Sequence, residues 1–488
     1  MQSKHNQRVA TFPLPIHARS ASKAARNVAL LSVVAWTGQP APPGVLAVEL
    51  TAPALLRNES TVPGTVEVTI TASVKRLQLR SGGSTEVFAY NGTYPGPTLE
   101  AREGDQVIVH FRNDLPEPTT VHWHGIHLPA DQDGSPFDPI PAGGRRDYVF
   151  TLQRGSAGTY WYHPHLHPRT GYQVAKGLVG AFIVRAADDP LPANIQEKLL
   201  ILADQRFRPD GSIDLPDPRS PEGRLDEENG REGNVFFVNG QERPTITIRP
   251  GELQRWRVIN ASAARVYRLS IGGLPFLHIG SDGGLFERPR GVYELVLANS
   301  ERVELLVRGM GQAGTTIAVQ SLPYDRYIPQ TRPRDWERSI DLVMLQIVAG
   351  ATPPVIVPAT LRRIPPIDTL QATERRTISM SQGMINNRHM DMHRVDMTAK
   401  LGATEIWTVE NLVGMDHPFH LHGFQFQVID RNGKPEPYRS WKDAVNVPKH
   451  ESVRFIVRLD DFPGRWMFHC HILNHEDQGM MGILEVKP

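Results

Sequence analysis

Cysteine is nearly absent from this 488-residue chain, which has one, Cys470. A single thiol cannot close an intramolecular disulfide, so no disulfide framework holds the fold. Long apolar runs are missing too. No stretch reaches the ~18 residues that a membrane-spanning helix needs. Neither sign of charge is in excess, because 53 Lys and Arg stand against 52 Asp and Glu, for a net charge of +1. That balance gives no electrostatic ground for a nucleic acid or a membrane surface as partner. Turn formers are plentiful, with 41 Pro and 41 Gly, and only 22% of residues are charged. This composition suits an all-β protein with many turns.

The length suggests about three domains at roughly 150 residues each. Lys4, Arg8, Arg19, Lys23 and Arg26 precede a short apolar run, Val28 to Trp36, and small and turn-forming residues follow through Gly44. That order fits a secretory signal, and equally a disordered leader. A signal would send the chain to the periplasm or outside the cell. After residue 60, short alternating runs appear: Thr65 to Val74, Asp105 to Phe111, Tyr148 to Phe150 and Gly180 to Val184. Alternation bounded by Gly, Pro, Asn and Asp predicts half-buried strands of a sandwich. We read 1–60 as a leader, 61–188 and 189–347 as two domains, 348–368 as a Pro-rich linker and 369–488 as a third domain. Arg206 to Gly233, charged and turn-rich, reads as an exposed loop.

A weak repeat links the three blocks. Glu103-Gly104-Asp105 precedes a strand ending near Asn113, Pro250-Gly251-Glu252 one ending near Asn260, and Leu401-Gly402-Ala403 one ending near Asn411. Three copies of turn, strand and Asn predict three related β-sandwich domains.

The lone cysteine is a small buried apolar residue, a nucleophile or a metal ligand. Its neighbours favour the metal. Cys470 lies between His469 and His471, with His475 five residues on and Met480 five further. A thiolate, two imidazoles and a weak axial thioether make a blue-copper site. His417 supplies the second imidazole. Four His-x-His pairs also stand out: His122/His124, His163/His165, His420/His422 and His469/His471. Strand residues at i and i+2 share a face, so each pair can aim two imidazoles at one place. Eight imidazoles exceed the needs of one metal, so several metals are implied. Two pairs lie in the first block and two in the third, which puts a shared site between those domains. By the same period Cys470 faces away from His469 and His471. It can bind one metal while they bind others behind it. His127 and His167 fall outside the pairs. His5, His17, His110, His278, His389, His393 and His450 are expected to be non-ligands.

These four segments resemble the four copper signatures of the multicopper oxidases, a family that includes laccases, bacterial copper-efflux oxidases and ferroxidases. The match extends over nearly the whole chain after residue 60. It implies three consecutive cupredoxin-like Greek-key β-sandwich domains and four copper ions. His417, Cys470, His475 and Met480 would hold the type 1 copper, and His122 and His420 the type 2 copper. His124, His163 and His471 would hold one type 3 copper, and His165, His422 and His469 the other. The resemblance also places carboxylates beside the cluster at Asp133 and Glu476. Oxygen reduction consumes protons, so a relay there has a chemical task. For Asp133 the alternative is a plain turn role in Asp133-Gly134.

The family's reaction implies O2 and a small reducing substrate as partners; the chain is expected to be a monomer. The reductant would dock near an exposed edge of His475 or His417 and pass electrons through Cys470 to His469 and His471. Met380, Met384, Met390, Met392 and Met397 crowd one segment. Such thioethers suit either core packing or Cu(I). Met415 and Asp477 fall where bacterial copper oxidases place a substrate Cu(I), but Val413 replaces one acidic position of that site and the long Met-rich insertion is lacking. The balance leans to a laccase-like oxidase of phenols and aromatic amines, with Cu(I) or Fe(II) oxidation as the alternative. A copper-free scaffold on the same fold is a third reading, disfavoured because every ligand position is filled.

Overall fold

The computed structural model describes residues 48–488 apart from 334 and 351. The candidate signal at Val28 to Trp36 lies outside the described residues. Among them, no helix is long and apolar enough to cross a membrane.

The alternating runs become strands, and the strands form three two-sheet sandwiches. The first pairs two four-stranded sheets, the second a seven-stranded with a five-stranded sheet, and the third a six-stranded with a five-stranded sheet. The strand Thr65–Arg80 shows the physical basis. From Thr65 to Val74, Val66, Val68, Ile70 and Ala72 turn into the core while the residues between them stay half-exposed. A large tryptophan sits in each core: Trp123 in the first, Trp256 in the second and Trp407 in the third.

The repeated asparagines do the same job three times. Each is the last or next-to-last residue of a strand that pairs in parallel with the first strand of its sandwich: Gln106–Asp114, Leu253–Asn260 and Thr404–Asn411. Each is buried, and its amide nitrogen donates to loop carbonyls. Asn113 serves Glu117, Ile140 and Pro141; Asn260 serves Arg265 and Leu297; Asn411 serves Met415, Val447 and Pro448. Buried carbonyls need donors, and one side chain supplies them where the loop turns away from the ladder.

Among the described residues the α-helices are few and short: α1 (Thr170–Lys176), α2 (Pro221–Asn229) and α3 (Leu473–Asp477). The segment read as an exposed loop, 206–233, thus contains a helix. Pro221 stands at its first position and the Ser220 hydroxyl accepts the Gly223 N–H. Both are helix-start signals. Their weight was hidden by the charge of the surrounding sequence.

Candidate metal centre

Two antiparallel strand pairs build the site. In the first sandwich, His122 on the strand His122–His124 lies opposite His163 on the strand Gly158–His163. In the third, His420 on His417–Leu421 lies opposite His469 on Gly464–Cys470, and Phe419 lies opposite Cys470. The period of two then sorts the side chains. Trp123 points into the first core while His122 and His124 leave its outer face. Cys470 and Phe419 point into the third core while His469 and His420 leave its outer face. His165, His422 and His471 fall just beyond the strand ends. All eight imidazoles are buried where the two sandwiches meet.

The donors fall into two sets. Atoms of His417, Cys470 and His475 lie within 4.8 Å of one another, with the Cys470 sulfur 3.9 Å from His475 Nδ1. Met480 is buried in the same hydrophobic core as Cys470, and its carbonyl accepts the Cys470 N–H at 3.1 Å. The second set is the eight-imidazole cluster. It contains the groups His165/His422/His469, His122/His420/His422 and His122/His124/His163. Inward nitrogens stand 3.2 Å apart between His165 and His469, 3.0 Å between His422 and His469, and 3.3 Å between His124 and His163. Nitrogens about 2 Å from a shared ion are spaced in this way.

The chemistry of these donors fits a metal. The Nε2 atoms of His122, His420 and His471 are buried without a hydrogen-bond partner. Burial first, and neighbouring imidazoles second, hold His165, His420, His422 and His471 well below the ordinary histidine range. Neutral imidazoles are what a metal binds. Burial likewise pushes the Cys470 thiol up to about 12, so the metal-free protein holds it protonated. A cation beside it reverses that preference, and metal uptake there releases a proton.

Two carboxylates support the ligands. Asp133, 1% exposed, accepts His422 Nδ1–H through Oδ2 at 2.8 Å, and its carbonyl accepts His122 Nδ1–H at 3.0 Å. It therefore does more than make a turn. Glu476 is fully buried, 3.5 Å from His165 Nδ1 and 3.4 Å from His469 Nδ1. Desolvation, aided by Asp477, raises its carboxyl well above the usual range.

The pair expected at a substrate metal, Met415 and Asp477, has other contacts. Asp477 accepts the N–H groups of Thr170 and Gly171, both at 2.8 Å, and so caps α1. Met415 is buried and its sulfur faces the Arg326 guanidinium at 3.7 Å, where a cation opposes a second cation. Of the crowded methionines, Met380 is core. The exposed imidazole edge is also corrected: His417 is 1% and His475 3% exposed. The cover over His475 is α2, whose Glu228 carbonyl accepts His475 Nε2–H at 3.1 Å. Arg326 is buried beneath this cover, donating to the Asn229 carbonyl and to Glu232. Beside it opens a cleft of about 850 Å³, lined by Asn229, Gly230, Tyr324, Arg326, Tyr327 and Trp336.

Comparison with known proteins agrees with this geometry. Three multicopper oxidase family models match residues 72–189, 204–321 and 362–488. The multicopper oxidase mco of Staphylococcus epidermidis is 30% identical over 448 residues, spanning 90% of this chain and 92% of that protein.

The chain belongs to the multicopper oxidase family.

A laccase of Bacillus subtilis is 29% identical, covering 86% of this chain and 94% of its own. Among solved structures, a multicopper oxidase from Campylobacter jejuni, described as a metallo-oxidase, superposes with a TM-score of 0.82 at 36% identity, covering 91% of this chain and 96% of its own. Membership makes copper the metal these donors suit, and makes the three sandwiches cupredoxin-like domains.

Other histidines of this multicopper oxidase have separate partners. His110 bonds Glu67 and Asp147, and His127 bonds the Gly423 carbonyl and Asp461. Sequence reasoning missed Glu228, Arg326, Asp443 and Arg302. None stands in a motif, and their places follow from contacts between sandwiches.

Proposed function

We propose that the protein is a copper-dependent oxidase that couples one-electron oxidations of phenols or aromatic amines to the reduction of O2 to water. The observation that carries this reading is the arrangement around Cys470. Its side chain joins His417 and His475, while His469 and His471 on either side join the imidazole cluster. Four coppers are then held as type 1 by His417, Cys470, His475 and Met480, type 2 by His122 and His420, and type 3 by His124, His163 and His471 and by His165, His422 and His469. Copper, when bound, supplies the one-electron redox steps and the O2 chemistry.

The chain's own groups do the rest. Cys470 and its flanking histidines make a short covalent path between the two donor sets. Glu476 places a carboxyl group for proton relay beside His165 and His469, and Asp133 orients His422 and His122 while offering a second carboxylate for proton supply. The reductant docks in the cleft beside α2. There Tyr324, Tyr327 and Trp336 offer aromatic faces, and the Asn229 and Glu228 peptides lead to His475. The protein acts in the periplasm or outside the cell if its N-terminal pattern is a secretory signal, and we take it to be a monomer.

Oxidation of Cu(I) or Fe(II) is a second reading. It is favoured by Glu227 and Glu228 on α2, next to His475, and by the similarity to a metallo-oxidase. A copper-free scaffold has no use for a complete donor set. Oxygen uptake by the copper-loaded protein with a phenol, Cu(I) and Fe(II) tests the choice, in wild type and Trp336→Ala. The proposal expects uptake with the phenol that weakens several-fold in Trp336→Ala, with metal-ion uptake unchanged. Uptake with metal ions alone would contradict it.

A further inference from the structure

The middle sandwich gives no candidate ligand to the imidazole cluster, yet one of its residues sits directly behind it. Arg302 is fully buried and grips Asp443 of the third sandwich with both ends of its guanidinium. Its Nε donates to the Thr159 carbonyl of the first sandwich at 3.0 Å. Asp282 accepts the Arg302 N–H at 2.9 Å and pairs with Lys442 at 3.0 Å. One buried charge network thus ties all three sandwiches together. Its members have no aqueous alternative, so the geometry is held firmly.

Asp443 handles two imidazoles in opposite senses. Its backbone carbonyl accepts His420 Nδ1–H at 2.8 Å, which turns His420 Nε2 inward. Its carboxylate accepts His124 Nε2–H at 3.0 Å, which turns His124 Nδ1 inward, 3.3 Å from His163 Nε2. The two rings stack at 3.9 Å and 14°. Elsewhere in the cluster the opposite sense holds. Nδ1 of His122, His163, His422 and His469 faces an outer oxygen, leaving Nε2 for the centre. His124 is the ring that is reversed. Arg302 Nη1 and Nη2 donate to the two oxygens of the same carboxylate.

We propose that Asp443, clamped by Arg302, is a positioning residue that holds His124 with Nδ1 toward the metal cluster, and that this is the middle sandwich's contribution to the site. The glycine of His122-Trp123-His124-Gly125 fits the same account. Gly125 has φ +86°, and a Cβ there would lie 2.5 Å from both Arg302 Nη2 and Asp443 Oδ2. The loop carries no side chain where it passes the ion pair. This inference rests on the copper reading for its purpose, but its first test needs no copper.

Metal-free protein labelled with 15N-histidine reports which ring nitrogen carries the proton, and the His124 signals are assigned by their loss in His124→Gln. The wild type should show His124 protonated at Nε2, and His122, His163, His422 and His469 at Nδ1. Asp443→Asn keeps an acceptor oxygen and should preserve the His124 signature. Asp443→Leu, similar in volume but without an acceptor, should lose it, and after loading should bind less copper while keeping the visible band of the Cys470 site. A wild-type His124 protonated at Nδ1 overturns the proposal, even if Asp443→Leu does not fold. So does an Asp443→Leu protein with the wild-type His124 signature and full copper content. Normal His124 signals in a protein that takes up no copper would instead count against the oxidase reading and leave the positioning role standing.

Discussion

His475 Nε2 donates to the backbone carbonyl of Glu228 at 3.1 Å, so the outward edge of a copper-site imidazole ends on a helix and not in solvent. That helix, α2, comes from a different sandwich. It is further fastened by Gln478 and Asn474, which donate to Glu227, and by Arg326, which donates to Asn229. Its start depends on Ser220, whose hydroxyl caps Gly223. Ser220→Ala should weaken α2 by about 1 kcal/mol. Hydrogen exchange should speed up at the α2 amides while the sheet cores remain protected. Equal acceleration everywhere would show that α2 is not a separable cover.

Cys470→Ser should abolish the blue colour and the oxidase activity together, because oxygen cannot replace the soft thiolate. The side chain is small and buried, so the fold should survive. Copper analysis should show the loss of about one ion per chain, with the imidazole cluster still loaded. A variant that retains the colour would remove Cys470 from the site.

The three repeated asparagines allow an internal comparison. Asn113→Ala and Asn411→Ala each leave buried carbonyls without donors and should cost roughly 1–3 kcal/mol of stability. Asn411 has an added contact, since its Oδ1 lies 3.2 Å from His417 Nδ1. Only Asn411→Ala should shift the visible absorption of the copper-loaded protein. Matching spectra for the two variants would show that the His417 contact has no influence.

His278 gives a pH dependence remote from the metal centre. It is buried against Phe286, and desolvation, with the charges of Lys442 and Arg290, lowers its pKa to about 3. The unfolded chain takes up a proton near pH 6.5 and the folded chain does not. Stability is therefore complete above about 6.5 and is lost as pH falls toward 3. Between pH 6.5 and 5 the loss is roughly 2 kcal/mol. His278→Leu should flatten this part of the melting-temperature profile of the metal-free protein. An unchanged profile would place the acid sensitivity elsewhere.

Much of the architecture was legible because it rests on local periodicity. Alternation located the strand Gly180–Arg185 to within one residue and found the middle of Arg145–Thr151. The same period explained why Cys470 and its neighbours face opposite ways. The donor residues were legible because four paired histidines and one cysteine are a dense local signal. Contacts made between sandwiches were not. The resemblance offered Asp477 as a possible substrate-metal position, and nothing local in the sequence showed that both its oxygens also accept amides of α1 in the first sandwich. The helix over His475 lay in a charged stretch with no apolar face to announce it. Asp443 and Arg302 lie 141 residues apart and meet only in the folded protein.

The central claim is that electrons entering at the Cys470 site leave as water at the imidazole cluster. The most direct test measures oxygen consumed against reductant oxidised by the blue, copper-loaded protein, together with peroxide. The account predicts about four one-electron oxidations per O2 and no peroxide released. A ratio near two with stoichiometric peroxide, or a fully loaded protein that consumes no oxygen, would contradict it.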